Sequence, residues 1–385
     1  MKVAWFHKFG GPEVLVHEEA PKPAPKPGEA LVRVRAVGIN HVDLDHRAGT
    51  SRIPVTFPHI LGREFAGEVA GNAGDFKEGD RVWVTCRIPC RKCELCLLGR
   101  DNLCLKEGYF GLDIPGGYAE YVCVPEAEAV EVPEELDPAE VVGLVLTYTT
   151  AYQMLHRSAH VQTGESVLVH GAAGRVGVAV LELGALAGLR LYGTCSARDR
   201  AAVERLGAVS IDYRTEDFLA RIRQLTGDGV DVVLDGIGGA TSIRSFRALR
   251  PGGRLVVYGH YAMLARGRTS LRRWAAGWAE WYGTTATVTL WGLLDPRRKV
   301  TAYRIQRLRD SRQWLPVSGR RPARLVGGGP RNPQWFREDL GVLLELLAAD
   351  KVHPVVAERL PLSQARRAHE LLEASAAKGK LVLVP

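Results

Sequence analysis

The run Ser166-Val167-Leu168-Val169-His170 passes without a break into Gly171-Ala172-Ala173-Gly174-Arg175-Val176-Gly177 and then into an apolar helical stretch. No other feature of the chain restricts its fold as much. A short β-rich apolar run, a tight glycine turn and a helix make a βαβ unit, in which backbone N–H groups and the helix N-terminus can meet a pyrophosphate. Gly174 permits close approach of the phosphates, and Gly177 lets the helix pack on the strand. A glycine pattern alone is weak evidence, but between a strand and a helix it points strongly to a dinucleotide. The alternation continues through LRLYGTCS, RDRAAVERLGA, VDVVLDGIGG and GGRLVVYGH. An α/β domain with a doubly wound parallel sheet is therefore expected.

The end of the second strand selects the dinucleotide. An NAD site places an acid there, about 20 residues on, for the ribose 2′-hydroxyl. This chain has Gly193-Thr194-Cys195-Ser196-Ala197-Arg198. The hydroxyl of Ser196 and the guanidinium of Arg198 suit a 2′-phosphate, so NADPH is expected. The alternative makes Arg198 a solvated helix-start residue.

The first part of the chain has a different rhythm. Up to about residue 125, short strands (LVRVRAVGI, FAGEVAG, RVWVTC, GYAEYVCVP) are broken by Gly and Pro, which reads as a mostly β domain. From it projects Cys90-x2-Cys93-x2-Cys96-x7-Cys104. That spacing can wrap one tetrahedral Zn²⁺, and four thiolates leave no open position, so the metal is structural. Two disulfides are the alternative. They fit poorly with a start, MKVAWFHKFGGPEVLV, that has no secretory apolar run, and a cytoplasmic location is expected.

Charge is uneven. Between Tyr261 and Trp335 there are fifteen Arg and Lys against three acids, and six of the eight tryptophans. No nucleic-acid module accompanies this basic, aromatic stretch, so nucleic acid is not an expected partner. Three readings compete for 262–333: a cap or surface elaboration, a docking face for an acidic carrier, and a membrane-surface contact.

Taken together, Gly10-Gly11-Pro12-Glu13-Val14-Leu15, Val37-Gly38-Ile39-Asn40-x-x-Asp43, Leu61-Gly62-Arg63-Glu64-Phe65-Ala66-Gly67, the cysteine lobe, Thr150-Ala151-Tyr152, HGAAGRVG and LRPGGRLVVYG resemble the medium-chain dehydrogenases/reductases, in their quinone oxidoreductase-like form. The resemblance covers about 1–260 and 335–385. It implies a GroES-like catalytic domain over 1–125 with its zinc lobe at 86–106. A Rossmann domain would follow over 126–294, with an atypical Trp/Arg-rich segment from 262. The remaining 295–385 would be a basic insertion to about 333 and a return to the catalytic domain. Zinc alcohol dehydrogenases of this superfamily bind a second, catalytic zinc through Cys, His and Cys. Those positions resemble Asn40, Arg63 and Leu146, none of which suits zinc. A relocated metal on His41, Asp43, His46 and His59 is the alternative.

The resemblance therefore implies hydride transfer from NADPH to a quinone, enone or enoyl C=C, with one structural zinc and no catalytic one; the alternatives are a zinc-dependent alcohol dehydrogenase with an atypical metal site and a non-catalytic NADPH-binding protein whose basic segment docks on membranes or partners. Its catalytic candidates are Asn40 as an amide donor, Asp43 as a loop-orienting group, and His46 and Tyr148 as proton or hydrogen-bond donors. Cofactor contacts are expected from Thr150, Gly171, Ala172, Ala173, Gly174, Arg175, Val176, Gly177, Ser196, Arg198, Tyr213 and Gly259. A homodimer is expected, with ATVTLWGLL as the edge strand that pairs between subunits.

Overall fold

The computed structural model describes residues 1–51, 53–71, 73–84, 86–97, 104–261, 271–303, 335–374 and 376–385. Two compact units emerge, Met1–Thr149 with Pro330–Pro385, and Thr150–Gly329. The division falls inside the helix Pro138–Tyr152, further along than a boundary at 125 set by the change of strand rhythm. The first turns of that helix are buried with the β unit, where Leu146 and Val142 touch its sheet residues.

In the first unit the long strand Glu29–Gly38 organises the main sheet. It pairs antiparallel with Glu64–Val69, Tyr121–Pro125 and the closing strand Lys380–Val384. Alternation in EALVRVRAVG puts Ala30, Val32, Val34 and Ala36 into the core, beside Phe65, Phe110 and Leu383. A side strand, Val356–Pro361, lies parallel to the closing strand.

In the second unit six parallel strands follow one another in chain order: Ser166–His170, Arg190–Cys195, Val209–Asp212, Val230–Asp235, Leu249–Val257 and Lys299–Ala302. Their spatial order is 3-2-1-4-5-6, the doubly wound arrangement whose crevice lies between strands 1 and 4. Strands buried on both faces read as continuous apolar runs, as SVLVH and VDVVLD do.

One expectation is overturned. ATVTLWGLL is the second half of a 24-residue helix, Leu271–Leu294. The family resemblance implied a strand here, but the hydroxyls of Thr287 and Thr289 donate to the carbonyls four residues back, at 2.8 and 2.7 Å. Val288 is fully buried and Trp291 packs on Phe246, so this face closes the sheet. The edge strand is Lys299–Ala302, parallel to Leu249–Val257. The basic segment falls largely in 262–270 and 304–334, outside the described residues, and so do the readings that rest on it.

Candidate active site

Three strands and a helix of the first unit converge on Asn40. The strand Glu29–Gly38 delivers it to the start of the helix His41–Arg47, where its N–H donates to the Asp43 carboxylate at 2.7 Å. Glu64 opens the neighbouring strand opposite Gly38, and Lys380 opens the closing strand. The Lys380 ammonium donates to Asn40 Oδ1 at 2.9 Å and pairs with Glu64 Oε2. Asn40 Nδ2 donates to the same carboxylate oxygen at 3.0 Å, and the other oxygen accepts the Leu146 N–H at 2.8 Å. Exposures of 8% for Asn40, 0% for Glu64 and 2% for Lys380 make this a buried ion pair, tolerable only because each charge is met by the other and by hydrogen bonds. Gly38 makes it possible, since a Cβ there would lie 2.4 Å from Lys380 Cε. Sequence reasoning named Asn40 and missed Lys380. The available signal was a lysine opening the apolar run KLVLV, where burial demands a partner.

This donor set does not fit a catalytic zinc. The residues whose positions resemble the three ligands are a carboxamide, the buried Arg63 guanidinium and a leucine, Leu146, and the Lys380 ammonium adds a cation beside Asn40. The alternative on His41, Asp43, His46 and His59 is not assembled either. Among the described residues, ligand atoms of three or more His, Cys, Asp or Glu converge only at the cysteine lobe.

Asp43 is fully buried, and its second oxygen has no hydrogen-bond partner among the described residues. Burial raises its pKa to about 6, against the opposing pull of the Asn40 N–H and of Arg63 and Lys380. His46 donates from Nε2 to the Leu112 carbonyl at 2.7 Å and meets His59 edge-on at 5.2 Å. Burial lowers the pKa of both rings, that of His59 to about 4, so both are neutral at pH 7. The Nε2 proton of His46 is thereby committed to a carbonyl. Tyr148 is buried on the helix Pro138–Tyr152.

In the second unit the glycine turn folds as its sequence requires. Gly171 has φ +70°, and a Cβ on Gly177 would sit 2.4 Å from the Gly171 carbonyl. The turn is tied to the second strand by Gly171 N–H to Thr194 Oγ1 at 3.2 Å and Ala172 N–H to Thr194 O at 2.9 Å. Ala173 lies within it. Gly174 caps the helix Arg175–Leu186 without a side-chain bond, so its first-turn donors, on Arg175, Val176 and Gly177, present the anion-binding end of a helix. Gly259 packs directly on the backbone of Gly236, and Trp281 Nε1 donates to its carbonyl at 3.0 Å. Thr150 is half-buried in its helix, and Tyr213 is exposed just after the third strand.

The ribose end holds one residue the sequence reading passed over. Asp199 accepts from Ser196 Oγ at 2.7 Å and from Arg198 Nε at 3.1 Å. The two donors expected to meet a 2′-phosphate are therefore both engaged by a carboxylate.

The cysteine lobe is compact. The four Sγ atoms of Cys90, Cys93, Cys96 and Cys104 lie within 4.8 Å of one another, with Cys93–Cys96 at 3.5 Å and both Cys90–Cys96 and Cys93–Cys104 at 4.0 Å. Four thiolates around Zn²⁺ require about 3.8 Å between sulfurs. All seven cysteines are free thiols. The Cys90 and Lys106 N–H groups donate to Cys104 Sγ at 3.3 and 3.4 Å, and the Lys92 N–H helps bring the Cys90 thiol down to about 6. These residues fit the metal.

Comparison with known proteins agrees with this architecture. An alcohol dehydrogenase GroES-like domain matches residues 26–134, and a zinc-binding dehydrogenase domain matches 206–383. A 2-haloacrylate reductase of Burkholderia sp is 30% identical over 99% of this chain and 98% of its own length. A quinone oxidoreductase of Pongo abelii is 33% identical over 67% of this chain and 73% of its own. The structure of Escherichia coli quinone oxidoreductase complexed with NADPH matches with a TM-score of 0.72 and 25% identity, covering 100% of both chains. With a GroES-like unit, a doubly wound dinucleotide sheet and relatives of this kind, the chain belongs to the medium-chain dehydrogenase/reductase superfamily as a quinone oxidoreductase-like oxidoreductase.

Proposed function

We propose that this protein is an NADPH-dependent reductase of conjugated carbonyl compounds or quinones that uses no catalytic metal and carries one structural zinc. The donor set at Asn40, Arg63 and Leu146 carries the proposal, because an ammonium, Lys380, sits among the positions where alcohol oxidation would need a Lewis acid. When bound, the nicotinamide cofactor supplies a hydride to the electrophilic carbon of the substrate. Negative charge then develops on the conjugated oxygen, and Asn40 has an N–H to offer it, since one Nδ2 hydrogen serves Glu64 and the other is unclaimed among the described residues. Asp43 holds the Asn40 backbone. Tyr148 and His46 are the candidates for returning the proton, and His46 Nε2 is on the Leu112 carbonyl.

The glycine turn would hold the pyrophosphate, with Ser196, Arg198 and Tyr213 at the adenosine end. The NADPH complex of the Escherichia coli relative supports that choice. The 2-haloacrylate reductase supports a conjugated acceptor. Cys90, Cys93, Cys96 and Cys104 would bind the zinc. A cytoplasmic homodimer completes the proposal, although the strand expected to join the subunits is helical.

The test is NADPH oxidation against a panel of enones, 2-haloacrylates, enoyl thioesters and quinones, with metal analysis of the same sample. Turnover with about one zinc per chain supports the proposal. Two zincs per chain with oxidation of alcohols, or no turnover at all, overturns it.

A further inference from the structure

The buried triad of Asn40, Glu64 and Lys380 fixes an orientation as well as a charge balance. Lys380 can only donate hydrogen bonds, and ionised Glu64 can only accept them. Asn40 lies between the two, with Oδ1 on the ammonium at 2.9 Å and Nδ2 on the carboxylate at 3.0 Å. A flipped amide would place its oxygen against a carboxylate and its NH2 against an ammonium, so one orientation alone is allowed. Each neighbour is itself fixed. Glu64 is held by the Leu146 N–H at 2.8 Å, and the Lys380 stem runs through the space that Gly38 leaves open. The Asn40 backbone is pinned separately by Asp43 at 2.7 Å. The charge of Lys380 on Oδ1 also polarises the amide, making the remaining N–H a stronger donor.

We propose that Lys380, paired with Glu64, is a positioning residue for hydride transfer: it fixes and polarises the carboxamide of Asn40 so that its unclaimed N–H can take the charge developing on the substrate oxygen. In this chain the ammonium acts through Asn40, where a metal would ligate the substrate directly. The proposal rests on the reductase function given above.

The experiment compares four proteins: the wild type, Asn40→Ala, Lys380→Met/Glu64→Gln, and the triple variant. The double variant removes both buried charges together, so no unpaired charge threatens folding. Each is assayed with NADPH and the best substrate of the panel, and NADPH binding is measured by fluorescence titration. Asn40→Ala should lower kcat by about 100-fold, the effect of losing one oxyanion donor. The double variant should lose about tenfold in kcat, with NADPH affinity changed by less than about threefold, and it should cause no further loss when Asn40 is already alanine. A double variant with full kcat overturns the proposal, as does a loss that simply multiplies that of Asn40→Ala. A wild-type protein that turns over nothing in the panel instead overturns the reductase function, and this role with it.

Discussion

Single residues of this protein are held by charge balance more than by shape. Removing Lys380 alone, as in Lys380→Met, leaves the fully buried Glu64 carboxylate without its cation. Urea unfolding should show a loss of about 3–5 kcal/mol, most of it recovered when Glu64→Gln is added. Acid stability is set by another buried network. Tyr118 bonds His369 Nε2 at 3.0 Å, and Arg47 donates to His369 Nδ1 at 3.0 Å. Burial, with help from Arg47, lowers the His369 pKa to about 3. Below its usual value of 6.5, the unfolded chain takes up a proton that the folded chain refuses, so stability falls as pH drops from 6.5 toward 3. Asp43, raised to about 6, acts in the opposite sense between 6 and 3.8, where the folded chain holds the extra proton. His46 and His59 side with His369. The urea midpoint should therefore be lower at pH 5 than at pH 7, and His369→Gln, which keeps an acceptor for Arg47 and a donor for Tyr118, should shrink that difference. At the ribose end, Ser196→Ala/Arg198→Ala should raise KM for NADPH by about tenfold and leave KM for NADH nearly unchanged. Asp199→Asn removes a charge that a 2′-phosphate would meet and weakens the hold on both donors, so it should lower KM for NADPH by about threefold.

At the scale of elements, the glycine turn and the cysteine lobe stand apart from the rest because their residue spacing alone requires their geometry. Gly177→Ala places a methyl 2.4 Å from the Gly171 carbonyl and 2.6 Å from that of Ala172. A strain of about 1–3 kcal/mol should appear as weaker NADPH binding in titration, while far-UV circular dichroism stays unchanged. For the lobe, Cys93→Ser should lower zinc content below one per chain and lower Tm, whereas a lobe held by disulfides would lose stability to reductant instead. The helix Leu271–Leu294 departs from the strand that the family resemblance implied. Thr and Val favour strands on average, but threonine hydroxyls can satisfy themselves on helix carbonyls, as at Thr284, 2.8 Å from the Glu280 carbonyl. The choice was made by Val288 and Trp291, one turn apart, facing the sheet core.

For the whole molecule, chain order and spatial order part company. The β unit is assembled from both ends of the chain, and the doubly wound unit is inserted between them. The glycine turn, the strand–helix alternation and the four cysteines could be read directly, because each is a short-range pattern in which backbone sterics or ligand spacing leaves few solutions. From them followed the parallel sheet, the fit for a dinucleotide and the fit for a zinc. Asn40 was legible as a candidate too. The residues that surround it were not. Lys380 is 340 positions from Asn40 and 316 from Glu64, and a buried ion pair across that distance leaves no trace in any local window. The placement of Asp199 on Ser196 and Arg198, the neutral His46–His59 pair and the helix over the sheet edge likewise came from packing, which decides where a polar group loses water and what replaces it. Sequence by itself determined the scaffold and pointed to the classes of ligand it fits. Tertiary structure alone decided which charge stands beside Asn40, because the cost of burying a charge exists only once distant segments have closed around it.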